Sequence, residues 1–82
     1  MGRRRQLWER LAQRPRAVRF DEIQRLLELS GWTLDRVRGS HHVFRRAGAQ
    51  LTVPYRRPHV LPVYVREVLR RTRRDALENQ DE

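Results

Sequence analysis

Arg36-Val37-Arg38-Gly39-Ser40-His41-His42-Val43-Phe44 carries the clearest local signal of the fold. Gly39-Ser40 is a turn pair, and apolar residues are interleaved with polar ones on both sides of it. The stretch therefore predicts two antiparallel strands, Thr33 to Arg38 and His41 to Arg46, folded back on one hairpin turn. Trp32, Leu34 and Val37 supply the apolar positions before the turn, and Val43 and Phe44 those after it. Ala47-Gly48-Ala49 is a second turn, and Gln50 to Val53 a third short strand ended by Pro54.

Upstream, Phe20, Ile23, Leu26 and Leu27 form one apolar face at helical spacing. Asp21 and Glu22 lie in the first turn of that helix and Gly31 stops it. Downstream, Tyr55 to Leu61, with Pro58 and two arginines, is a loop. Pro62 suits the first turn of a final helix, where its missing N–H is no loss, and Val65, Val68, Leu69 and Thr72 mark that helix's buried face.

Before all of this, Gln6 to Arg14 predicts a short helix with Leu7, Trp8 and Leu11 on one side, following a loose basic lead-in over residues 1–5. The expected organisation is a basic N-terminal helix and linker over 1–19, one domain over 20–75 and an acidic tail over 76–82. The order is α, then α-β-β-β-α, an α+β two-layer sandwich with an extra N-terminal helix. Two helices cover one sheet face. The other is open unless the N-terminal helix lies across it.

The 82 residues carry a net charge of +9, and all 19 basic residues are arginine. The guanidinium fork matches phosphate oxygens, so nucleic acid is the first partner to consider, the plain alternative being a solvated basic surface. There is no cysteine, which excludes disulfides and thiolate metal sites. Asp35 is the only acid between Glu28 and Glu67, so a paired-carboxylate metal site lacks its ligands, and neither metal nor cofactor is expected. No apolar run approaches the ~20 residues needed to span a bilayer. The N-terminus lacks the apolar stretch of a secretory signal, so the cytoplasm is the expected compartment.

His41 and His42 open a strand directly after a turn. A histidine can take a proton from a ribose hydroxyl or a water, or give one to a leaving oxygen. Strand alternation puts His42 with Phe44, on the side expected to pack on the helices, and His41 with Val43 and Arg45 on the accessible side. The bland alternative is a pair of strand-end histidines that only hydrogen-bond their neighbours. Ser40 beside His41 does not make a serine hydrolase, because neighbouring strand side chains diverge and no orienting carboxylate is at hand. Arg36, Arg38, Arg45, Arg56 and Arg57, with Ser40 in the turn, are the residues expected to hold a phosphate backbone around His41. Tyr55 and Tyr64 are candidates for stacking on unpaired bases. A further run, Arg70, Arg71, Arg73 and Arg74, lies on the last helix.

Phe20 to Glu28 with Gly31-Trp32, Arg36 to Phe44, Leu51-Thr52-Val53-Pro54, and Arg66 to Leu69 together resemble the HicA toxin family. The similarity covers residues 19–72, and Gly-Ser-His-His followed by a hydrophobic and an aromatic residue is its most specific part. The resemblance implies a double-stranded-RNA-binding-domain-like fold and a metal-independent endoribonuclease that cleaves mRNA. It also implies a partner antitoxin, HicB. The family's active histidine aligns on His41, with His42 as the alternative. Two positions depart from the pattern. Arg56 stands where the family often has a histidine, and Leu61-Pro62-Val63-Tyr64 stands where its last helix often opens Lys-Pro-Gly-Thr. A non-catalytic RNA-binding module of the same fold is the alternative function.

Overall fold

Helix α2 (Phe20–Leu29) is bounded by signals written into its ends. The backbone N–H of Arg19 donates to Glu22 Oε1 at 2.9 Å, satisfying a donor that a helix start would otherwise leave open. At the other end, Gly31 takes φ +89°. This lets the Trp32 N–H reach Leu27 O at 2.9 Å and its own N–H reach Glu28 O at 3.1 Å, the paired bonds of a Schellman stop. The computed structural model describes residues 2–78.

Strands β1 (Thr33–Arg38), β2 (His41–Arg46) and β3 (Ala49–Pro54) form one antiparallel sheet in chain order. Arg38 pairs with His41, so Gly39-Ser40 is a two-residue turn, and Gly39 at φ +56° meets the left-handed demand of its first position. Arg46 pairs with Ala49, which makes β3 longer at each end than expected and shrinks the second turn to Ala47-Gly48. A bulge lies in β1: Leu34 pairs with Phe44 but Arg36 with Val43, leaving Asp35 as the extra residue. Leu34 and Val37, three apart, therefore share the helix side of the sheet with His42 and Phe44. Arg36 and Arg38 share the other side with His41 and Val43.

Helix α3 (Pro62–Leu77) opens on Pro62 and buries Val65, Val68, Leu69 and Thr72 as their spacing predicts. With Phe20, Ile23, Leu26 and Leu27 of α2 and Phe44, Leu51 and Val53 of the sheet, these apolar side chains make one core. The loop between β3 and α3 is stitched down by Val60, whose side chain is fully buried and whose N–H donates to Val18 O at 2.8 Å.

Helix α1 (Arg3–Gln13) corrects one expectation and decides a point left open. It begins inside the stretch expected to be loose, because Arg3 to Arg5 are good helix formers with anchors. Arg4 Nη1 donates to Leu29 O at 3.0 Å, and Arg5 pairs with Glu9 at 3.2 Å. The helix also does not cross the open sheet face. It packs against α3 and α2, with Leu7 and Leu11 buried and Trp8 Nε1 donating to Leu69 O at 2.9 Å. The helical layer thus has three members. The acidic tail expected over 76–82 divides here: Ala76 and Leu77 belong to α3, and residues 79–82 lie outside the described residues.

Candidate active site

The turn at Gly39-Ser40 delivers the two histidines to opposite sides of the sheet. His41 is exposed on the side away from the helices, directly across from Arg38 on β1 and Pro54 on β3. Cross-strand neighbours on one face stand about 5 Å apart at Cβ, so the Arg38 guanidinium and the His41 ring rise from adjacent points. No hydrogen bond engages the His41 ring among the described residues, which leaves both ring nitrogens open to an incoming group.

His42 is held. Its Nδ1 lies 3.1 Å from Ser40 O, and since a carbonyl only accepts, Nδ1 is the donor there, which in the neutral ring makes Nε2 the acceptor. The ring sits 4.6 Å from the Phe20 ring and 5.9 Å from that of Tyr55, which itself meets Phe20 at 5.1 Å. Ser40 O also accepts the Tyr55 N–H at 2.6 Å. One turn carbonyl therefore ties His42 to the start of the loop after β3.

Not all the expected arginines stand alike. Arg38, Arg56 and Arg57 are exposed, and Arg56 Nη1 donates to His59 O at 3.0 Å within its own loop. That loop starts next to Pro54, the register partner of His41. Arg36 and Arg45 share the open face further from the turn, and both engage Asp35, at 2.7 and 3.5 Å. Asp35 was legible only as an isolated acid. Its position between two arginines is a product of the bulge. Arg46, the last residue of β2, turns instead to the helix side and pairs with Asp75 of α3.

On α3 itself, Glu67 accepts from Arg70 at 2.6 Å and Arg71 at 3.4 Å, and the Arg70 hydrogen bond holds its carboxyl below the ordinary carboxylate range. Arg71 also lies 5.3 Å over the Trp32 ring, and Arg74 pairs with Glu78. Much of the run on the last helix is thus engaged locally, on the layer opposite His41. Among the described residues no three histidine, aspartate or glutamate side chains gather as metal ligands, and no helix is long and apolar enough to cross a membrane.

The helix, hairpin, third strand and helix define a two-layer α+β domain with an added N-terminal helix, and its open face is basic. A family model described as the HicA toxin of bacterial toxin–antitoxin matches residues 20–73. The match spans more than half of the chain, and the protein belongs to the HicA toxin family. It begins at the first residue of α2, so α1 is an addition to the family's domain. No curated protein and no solved structure gave a match.

Proposed function

We propose that this HicA-family protein is a metal-independent endoribonuclease that cleaves mRNA, with His41 as its general acid or base. The observation that carries the reading is the placement of His41: exposed, with no hydrogen bond to its ring among the described residues, and paired in register with Arg38 on the basic sheet face. Arg38, Arg56 and Arg57, with Ser40 in the turn, grip phosphates near the turn. Arg36 and Arg45 extend the track along β1 and β2. The ring of His41 then moves a proton to or from the oxygens at the scissile phosphate. The nucleophile is either the ribose 2′-OH or a water. A strand carrying a 2′-deoxy sugar at the cleaved position separates them, because only the first route is blocked.

His42 is the alternative proton carrier, and one observation favours it. Its bond to Ser40 O holds the ring with Nδ1 as donor, so that Nε2 is the acceptor whenever the ring is neutral. Substitution of each histidine in turn, with cleavage and binding measured separately, distinguishes the two. If neither matters, the protein is an RNA-binding module that needs only its arginines, an outcome consistent with Arg56 standing where the family often has a histidine.

A toxin acting in the cytoplasm needs a partner that silences it. An acidic, HicB-like antitoxin docking on the His41 face would gain fast, steered association from the arginines there.

A further inference from the structure

Resting on the reading of the protein as an RNA-cleaving enzyme, we infer that Tyr55, His42 and Val37 form a shelf on which one unpaired base of the bound strand stacks, on the far side of the hairpin end from His41.

Three observations converge. First, the surface is apolar and uncovered: Tyr55 is 42% exposed and Val37 49%. Val37 pairs across the sheet with His42, and His42 with Val53, so Val37 and His42 are neighbours on one face. Tyr55, two residues beyond Val53, falls on that face too. Second, the platform is rigid. Phe20, only 7% exposed, backs both the His42 and Tyr55 rings, at 4.6 and 5.1 Å. The bonds from His42 Nδ1 and the Tyr55 N–H to Ser40 O fix both residues to the turn. A ring held in place loses little freedom when a base settles on it. Third, the surroundings suit a nucleotide better than an apolar peptide: Arg56 and Arg57 follow Tyr55, both exposed.

The two histidines are consecutive residues on opposite faces. A strand crossing the end of the hairpin therefore places a phosphate beside His41 and turns a neighbouring base onto the shelf. Aromatic faces accept any base, so the shelf sets the position of cleavage relative to an unpaired nucleotide more than its sequence.

The test uses the full-length His41→Ala protein and single-stranded RNA oligonucleotides carrying 2-aminopurine at successive positions. Stacking quenches this base, so one position is expected to lose most of its fluorescence on binding. Tyr55→Phe keeps the quenching. Tyr55→Leu, which preserves apolar bulk against Phe20, restores the fluorescence and weakens binding about 5- to 150-fold, the range for one stacked base. Val37→Ser, at an exposed site with little role in folding, lowers the quenching without a change in melting temperature. Binding with no quenched position, or equal affinity in Tyr55→Leu, overturns the shelf while leaving the RNA reading in place. Absence of any salt-dependent RNA binding overturns that reading as well. If Tyr55→Leu weakens capture of the antitoxin but not of RNA, the patch is a protein-docking surface and the proposal is wrong.

Discussion

The Nδ1 of His42 donates to the carbonyl of Ser40 at 3.1 Å, so the turn that positions the histidine pair also decides which nitrogen of one member holds the proton. This bond divides the labour. His42 is a fixed ring packed on Phe20, while His41 is free on the other face. Replacing His42 by phenylalanine keeps the stacking on Phe20 and removes the bond. RNA affinity should change less than tenfold, and cleavage should fall far less than on loss of His41. A loss of cleavage in His42→Phe equal to that in His41→Ala would move the chemistry to His42.

Asp35 restrains two arginines of the open face, Arg36 and Arg45. Each phosphate contact to a single strand contributes about 0.7 to the slope of log affinity against log salt. Arg38→Gln should lower that slope by about 0.7, and a double change at Arg56 and Arg57 by up to about 1.4. Asp35→Asn should act in the opposite direction, tightening binding and steepening the slope as Arg36 and Arg45 are released. Filter binding across a salt series with His41→Ala protein provides the measurement. An unchanged slope in Arg38→Gln would remove that residue from the phosphate track.

Helix α1 is expected to be integral to stability, since Leu11 is fully buried and Trp8 bonds to α3. Leu11→Ala should cost about 2–5 kcal/mol, enough to unfold a marginal domain of this size. Trp8→Phe should cost about 1 kcal/mol through the lost Nε1 bond, lowering the melting temperature by about 4–8 °C. Thermal melts of the two variants check this. Wild-type melting in Leu11→Ala would mean that α1 is an appendage.

Acid sensitivity should centre on Glu22. Burial alone would raise its carboxyl pKa, but hydrogen bonds from Arg14 and from the Arg19 N–H, with both guanidinium charges, hold it below the ordinary carboxylate range. A carboxyl depressed in the folded state contributes stability at neutral pH that is lost as the pH falls below that range. Glu22→Gln should therefore lower stability at pH 7 and flatten the loss between neutral and acid pH. Denaturant midpoints at several pH values test it, and an acid limb identical to wild type would discount Glu22.

The hairpin was open to reading because Gly39-Ser40 breaks two runs in which apolar residues are interleaved with polar ones, and Phe44 marked the core side of β2. The site was less legible. A bulge at Asp35 reverses the faces of Arg36, Val37 and Arg38 relative to Leu34, and nothing local announces it, because bulges depend on how the partner strand pairs. The same holds for Arg46, whose partner Asp75 is distant in sequence. The docking of α1 was undetermined because a face of Leu7, Trp8 and Leu11 suits a helix layer as well as an open sheet. Tyr55 was visible as an aromatic in a loop. Its contact with Phe20 and His42 depends on the register of β3 against β2.

Antitoxin and RNA should compete for one face. Titrating an acidic HicB-like partner into labelled RNA bound to His41→Ala protein should displace the strand, and Arg38→Gln should weaken both complexes. A stable ternary complex would show that inhibition acts from elsewhere, with the helical layer around Trp8 as the remaining surface.

Whether His41 moves the proton in RNA cleavage is read most plainly from the single-turnover cleavage rate of a single-stranded RNA by wild-type and His41→Ala protein in excess chelator. Wild type should cleave under these conditions. His41→Ala should be slower by about 10²–10⁴-fold, with RNA affinity and circular dichroism unchanged. A His41→Ala protein that cleaves at the wild-type rate, or a wild type that cleaves only when Mg²⁺ or Mn²⁺ is restored, would contradict this expectation.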